Sequence, residues 1–515
     1  MFKASSKAYS NTIKPIAPPE PHTAMIIVAG CGYVGAELAD LLHAAGHRVL
    51  GLTHSLESAE RLKAMHPWPV AASDITSPED LATLAASLDP AHPVTAFVHC
   101  ASSGKGGADA YRSVYLQGLQ NLITAFPRAR PLFTSSTSVY AQKDGSIVTE
   151  DSPATPPRET GHLLRQSEDL ALAHHGTVAR LAGIYGPGRS FVLKNLLLGK
   201  SGIETEDGVG RLINQIHRHD AATALAHLLL NGLSGLYNVC DDAPVSQRDI
   251  LHPLADLFSL PAPGPKPPDP DRKRGWTNKA VSNAKLRASG WTPAYPTYFS
   301  ALQHDPKLVP SILDLVQTEA PDCLPRSPNI VLIGLMGSGK TTVGRIIARK
   351  LGWDFVDTDA LIISQAGGLT IPEIFAQEGE TGFRQRESAA LRSLLGRRNA
   401  VIATGGGIVT IPRNTSLLRH LGFVVWLEAP VNLLARRTAQ SNDRPLLQDT
   451  DPHAKLEALL TARSPLYKHL ADLRIQTQDL LPEESAYGAT ESARIFFIKQ
   501  LRLRHTLHHH DDAAL

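Results

Sequence analysis

Gly334, the four residues LMGS, then Gly339, Lys340 and Thr341 form the run that most narrows what this chain can fold into. It follows the apolar NIVLI and opens a stretch of helical periodicity, the setting in which the eight-position Walker A pattern works. Its glycines, Gly337 among them, let successive backbone N–H groups turn toward a polyphosphate at a helix N-terminus. Lys340 supplies a point charge for the β and γ phosphates, Thr341 a hydroxyl able to ligate Mg2+, and Ser338 and Thr342 flank them. An α/β domain therefore starts near 329, and its periodicity extends to about 502. The loop alone suits a kinase, an ATPase motor or a GTP switch, because all of them hold the same triphosphate.

Residues downstream narrow that choice. Sixteen residues after Thr341, DFVDTDALI places Asp357 and Asp359 at the end of the second strand, both on one side because strand side chains alternate. One of them can hold the magnesium shell through water, while the other can orient or accept a proton from a substrate hydroxyl. Arg384 follows within IFAQEGETGFRQRE, and Gly405, Gly406 and Gly407 end a further apolar strand. A missing Cβ there lets a small polar ligand touch backbone.

GLMGSGKTTVG, DTD, FAQEGETGFR, TGGG, RTAQSNDRPLL and ARSPLY occur in the order and spacing found in shikimate kinases, and residues 329–500 resemble that family. The resemblance implies transfer of the ATP γ-phosphoryl group to the 3-hydroxyl of shikimate. It also implies Asp359 on a ring hydroxyl, Arg384 and Arg463 on the substrate carboxylate, and Gly405 to Gly407 lining the pocket. Arg437 would lie against adenine, and Arg444 would close on the transferring group with a mobile lid. The residues by themselves reach a small-molecule kinase with an anionic substrate, so a gluconate-type sugar-acid kinase stands as the alternative.

A second glycine turn lies about three hundred residues upstream. Gly30, Cys31, Gly32, Tyr33, Val34 and Gly35 make GxGxxG between the apolar MIIVA and an apolar helix, the context of a dinucleotide-binding turn. Where an acid would grip the adenosine ribose, HRVLGL ends instead in Thr53, His54 and Ser55. Neutral or cationic donors suit a 2′-phosphate, so NADP is favoured over NAD. Asp74, after PVAAS, is a candidate for the adenine side.

FVHCAS, TSSTSVYA, RLAGIYGPGR, HRHDAATAL and GLYNVCDDAP resemble the extended short-chain dehydrogenase/reductase superfamily, its epimerase and dehydratase group, over about 24–300. In that family a serine or threonine and a Tyr-x-x-x-Lys pair carry hydride chemistry. Ser136 matches the first, but Thr160 and Leu164 stand where the tyrosine and lysine belong. Neither substitute can move a proton near neutral pH, so the domain is expected to bind a dinucleotide without that route to turnover. Tyr140, Tyr185, His217 and His219 are expected to be structural.

The fold class expected is α/β: a Rossmann-type doubly wound parallel sheet, then a P-loop domain of the nucleoside-monophosphate-kinase kind. The expected boundaries are a leader over 1–23, a first domain over 24–300, a linker over 301–328, a second domain over 329–502, and a disordered tail over 503–515. With 51 Lys plus Arg against 49 Asp plus Glu, no global field gathers nucleic acid or anionic lipid, so the expected partners are small molecules. Cys31, Cys100, Cys240 and Cys323 are too far apart for a metal site or disulfide framework, which fits a cytoplasmic protein.

Overall fold

The computed structural model describes residues 24–104, 106–204, 210–258, 260–268, 276–320, 326–439 and 451–511, with side chains as far as 500. Apolar strands alternate with helices along both halves, and each half closes its own parallel sheet. The first contains β1 (Met25–Ala29), β2 (Arg48–Thr53), β3 (Val70–Ala72), β4 (Val94–His99), β5 (Arg130–Ser136), β6 (Thr177–Leu181) and β7 (Gly235–Val239). These seven strands are ordered β7-β6-β5-β4-β1-β2-β3. The order reverses beside β1, so the loop leaving β1 opens at the carboxyl edge where the two halves of the sheet diverge, the place such folds reserve for ligands.

Helix α1 (Gly35–Ala44) begins directly after the glycine turn and buries Leu38, Ala39 and Leu42 on the sheet. Helix α2 (Glu159–Ala173) presents Leu164 and Glu168 inward, one turn apart. Glu168 is fully buried, accepts from Ser135 Oγ at 2.5 Å, and pairs with Arg180 through Nε at 2.9 Å and Nη2 at 2.6 Å. Because a buried carboxylate is tolerated only when its lone pairs are satisfied, this pairing fixes α2 against β5 and β6. Leu164, at the position where the family resemblance puts a lysine, is a packing residue at 4% exposure.

The second sheet contains β8 (Ile330–Ile333), β9 (Asp354–Asp357), β10 (Ala400–Ala403), β11 (Phe423–Glu428) and β12 (Leu473–Gln476), in the parallel order β9-β10-β8-β11-β12. Strand β8 is central and wholly buried, and it feeds the Walker loop into α4 (Lys340–Leu351).

Three boundaries differ from expectation. The segment 301–328 contains α3 (Leu308–Glu319), whose Leu308, Val309, Ile312, Leu313 and Val316 are buried. An apolar face of that size needs packing partners, and it finds them on helices Phe191–Leu197 and Pro412–Leu421. Among the described residues the first compact unit is accordingly discontinuous, drawing on stretches up to 186, from 211 to 246 and from 268 to 301, while those within 187–210 and 247–267 group with the residues after 301. Finally, the last helix, α6 (Pro482–Asp511), crosses most of the expected tail, whose LRLRHTLHHHD contains few helix breakers. The leader 1–23 lies outside the described residues.

Candidate functional site

A cleft of about 680 Å³ opens over the carboxyl ends of β8, β9 and β10. Its walls join the loop 336–342 to Asp357, Asp359, Arg384, Gly405 to Gly407, Arg437 and Arg463. Gly337 and Gly339 have φ of 80° and 96°, left-handed values that suit glycine. Lys340 Nζ donates to the carbonyls of Gly334 and Leu335, each at 2.8 Å, so the ammonium stands inside the loop it would share with phosphate. Thr341 Oγ1 donates to Asp357 Oδ2 at 3.2 Å. That hydroxyl and carboxylate are hard oxygen donors in the pairing a magnesium ion takes beside nucleotide phosphates. Arg437 Nη1 reaches the carbonyl of Gly337 at 3.3 Å.

At the other end of the cleft the charges converge. Asp357 caps the next helix by accepting from Asp359 N at 3.0 Å, which sets the direction of Asp359. A Cβ on Gly405 would meet Asp359 Oδ1 at 3.0 Å and Glu387 Oε1 at 2.9 Å. Arg384 is carried by α5 (Ile371–Ser393), which breaks at Gly379 with φ 66° and restarts one turn before the arginine. Its guanidinium pairs with Glu387 at 2.6 Å and Glu380 at 2.9 Å, and a side chain on Gly407 would collide with it. Arg463 is buried at 6% exposure, and its Nη1 has no hydrogen-bond acceptor. An uncompensated buried guanidinium donor is costly unless a ligand supplies the oxygen.

Two members of this site fall within motifs already quoted but had no role assigned from them, Tyr467 closing ARSPLY and Glu387 closing IFAQEGETGFRQRE. Glu387 lies one turn beyond Arg384 and is 1% exposed. Burial pushes its pKa up, the Arg384 guanidinium opposes that shift, and Asp359 adds to it. Tyr467 donates its hydroxyl to Gly406 O, and burial raises the phenol to about 12 against the pull of Arg463. Spacing could have pointed to them: Glu387 falls three after Arg384, and Tyr467 four after Arg463, on helical stretches. Arg444 falls within 440–450, outside the described residues.

The amino-terminal cradle is built from backbone. Gly30 has φ 97°, and a Cβ there would lie 2.3 Å from Ala101 N; on Gly35 it would lie 2.2 Å from Gly30 O. Gly32 differs, because its Cβ would enter open space, which leaves room for a pyrophosphate to approach the chain. Val34 is the N-cap of α1. Tyr33 lies beneath the Arg218 guanidinium, 4.9 Å from it, and Glu37 accepts from His219 at 2.9 Å. Cys31 is no nucleophile, since burial raises its thiol to about 12. Thr53 ends β2, and Ser55 caps the following helix by accepting from Ser58 N at 3.3 Å. Asp74 is occupied locally: Thr76 N and Oγ1 donate to it at 2.9 and 2.8 Å, and exposed His54 lies 3.3 Å away. Burial would raise its pKa, but those partners hold it below the usual value. Ser136 Oγ accepts from Ser138 N at 3.2 Å, and Thr160 opens α2.

A Walker loop facing a pair of arginines and two acids across one cleft defines a P-loop small-molecule kinase, here following a dinucleotide-type domain in the same chain. The family described as Shikimate kinase matches residues 336–494, and the chain belongs to that family through this region. Shikimate kinase of Synechococcus sp. (strain CC9605) is 52% identical over 161 residues, 31% of this chain and 79% of that protein. The structure of shikimate kinase from Acinetobacter baumannii in complex with shikimate is 41% identical, covering 38% of this chain and 99% of that one, with a TM-score of 0.31. Residues 26–240 match the NAD dependent epimerase/dehydratase family. Among solved structures similar to the amino-terminal part is the UDP-glucose 4-epimerase of Thermus thermophilus in complex with NAD: 20% identity, 56% of this chain, 98% of that one, TM-score 0.47. No helix among the described residues is long and apolar enough to cross a membrane.

Proposed function

We propose that the protein phosphorylates the 3-hydroxyl of shikimate with ATP. The observation that carries this reading is Arg463, a buried guanidinium with an unspent N–H in the same cleft as Lys340 and Thr341. A planar carboxylate satisfies such a donor, and Arg384 provides the second cation. Asp359 then faces the hydroxyl to be phosphorylated and accepts its proton, Glu387 aligns Arg384, and Tyr467 holds the triple-glycine turn. Lys340 neutralises charge on the transferring phosphoryl oxygens, and the loop amides hold the polyphosphate. Thr341 and Asp357 are the residues that would hold Mg2+, which would supply positive charge against the phosphates. Arg437 lies on the base side, and Arg444 is assigned to lid closure on the family resemblance. A reducing cytoplasm fits Cys31, Cys100 and Cys240, all free thiols. ADP release measured with shikimate, gluconate and other hydroxy acids tests the substrate: acceleration by gluconate and none by shikimate would replace this reading with the sugar-acid kinase.

For the amino-terminal domain we infer dinucleotide binding at Gly30, Gly32, Tyr33, Val34 and Gly35, with NADP preferred over NAD. The preference rests on Thr53 and His54 at the ribose position and on an Asp74 already engaged by Thr76 and His54. Calorimetric titration with both dinucleotides tests it, and tighter NAD binding would reverse it.

A further inference from the structure

Three stretches of the amino-terminal unit, far apart in sequence, meet beside its glycine turn. Tyr33 belongs to the turn and directly follows Gly32, the position where a Cβ would enter open space. The Arg218 guanidinium lies over the Tyr33 ring, 4.9 Å from its centre, within the range of a cation–π contact. Gly186 is the third member. A Cβ there would lie 2.8 Å from Tyr33 Oη and 3.1 Å from Arg218 Cβ, so a side chain at 186 would displace one or the other.

The same arginine is held from a second direction by an acid. Arg218 opens the helix Arg218–Leu230, and its Nε forms an ion pair with Glu37 Oε2. His219 Nδ1 lies 2.9 Å from Glu37 Oε1. Glu37 stands in the first turn of α1, the helix whose amino end would face a pyrophosphate. Burial would raise its pKa, but His219 and Arg218 hold it below the usual carboxylate value, so it is ionised near neutral pH. A carboxylate at that place repels phosphate, and the arginine offsets it. The ion pair is made through Nε, and a guanidinium keeps further donors on its Nη atoms in the same plane. The side chain of Arg218 is 31% exposed, so a ligand in the turn can reach that plane. A guanidinium fixed by stacking on one side and by an acid on another is pre-oriented for the fork-like pairing that phosphate takes.

We propose that Arg218 binds the pyrophosphate of the dinucleotide, with Tyr33 as the platform that orients it and Glu37 as the anion with which the phosphate competes. This rests on the dinucleotide reading of the glycine turn, and adds to that backbone cradle a charged side chain from a distant part of the chain. NAD and NADP share the pyrophosphate, so Arg218 sets the affinity common to both, whereas Thr53 and His54 set the preference between them.

Calorimetric titration of the full chain with NAD and with NADP tests the assignment. Arg218→Gln, with circular dichroism unchanged, is expected to lose roughly 10- to 150-fold in affinity for both dinucleotides alike, the scale of charge-assisted hydrogen bonds. Glu37→Gln is expected to move the other way, tightening both by about twofold or more once the competing anion is gone. An ion pair with a purely structural role would instead lose affinity in both variants. The double variant, Glu37→Gln with Arg218→Gln, strands no charge and carries the test where the single arginine change unfolds the domain; it should bind more weakly than Glu37→Gln. Undiminished affinity on removal of Arg218, or weakening by Glu37→Gln, overturns the proposal while the backbone cradle stands. A loss confined to NADP would put Arg218 on the 2′-phosphate and overturn it as well. Failure of the unmodified protein to bind either dinucleotide removes the dinucleotide reading itself, and this proposal with it.

Discussion

The kinase cleft and the dinucleotide cradle both begin with a glycine turn between a strand and a helix, yet they keep different parts of their machinery. In the cleft the side chains are set: Lys340, Asp359, Arg384 and Arg463 face one volume, and Glu387 and Tyr467 hold them from behind. In the cradle the backbone is set, with Gly30 and Gly35 packed against neighbouring main chain and Gly32 open, while Thr160 and Leu164 stand where the family resemblance puts the proton carriers. Binding a polyphosphate needs glycines and a helix terminus, whereas moving a proton needs a titratable group at one place. The two requirements can therefore be lost separately, and this chain retains the first in both domains.

The comparison breaks first, and most visibly, at Lys340. Lys340→Met should lower kcat by about 10²- to 10³-fold, the scale of one electrostatic contact to a developing charge, with circular dichroism unchanged. Shikimate-dependent ADP release at the unmodified rate would remove Lys340 from the mechanism.

Arg384→Ala and Arg463→Ala come next. Each deletes charge-assisted hydrogen bonds worth about 1.5 to 3 kcal/mol, so the KM for shikimate should rise roughly 10- to 150-fold while ATP affinity holds. A collapse of nucleotide affinity with shikimate binding intact would reverse their assignment.

In the cradle, Gly32→Asp places a carboxylate in the open space beside the turn and should weaken dinucleotide binding by about tenfold or more through like-charge repulsion. Calorimetry on the full chain measures this; equal affinity in both proteins would leave the cradle without a role. Hydride exchange on a panel of sugar nucleotides and cyclic hydroxyketones should be absent in the unmodified protein, because neither the Thr160 hydroxyl nor the Leu164 side chain exchanges a proton near neutral pH.

The smallest effect concerns Glu387. Its pKa is raised by burial, so the folded protein holds the proton more tightly than the unfolded chain. The resulting stabilisation is complete below the unfolded value and is lost as pH rises through the folded one. Each unit of such a shift corresponds to about 1.4 kcal/mol. Glu387→Gln should therefore gain stability relative to the unmodified protein as pH increases from about 4.5 toward neutrality, read from urea midpoints. A constant difference across that range would show that Glu387 does not titrate in the fold.

Sequence alone determined the parts that depend on near neighbours in the chain. Gly334 to Thr341 and Gly30 to Gly35 each specify a strand, a turn and a helix within a dozen residues, so both α/β units and both glycine turns were legible. The missing Tyr-x-x-x-Lys pair was legible for the same reason, since its members fall one turn apart on one helix. Tertiary structure decided whatever depends on distant segments meeting. It made 308–319 a packed helix rather than a linker, because its apolar face finds helices from either side of it in the sequence. It moved 187–210 and 247–267 out of the first compact unit, brought Glu387 against Arg384 and Asp359, and buried Lys279 against the carbonyl of Tyr140. Burial and charge pairing are sums over neighbours in space, and a residue's worth in those sums is fixed only when the chain has closed on itself.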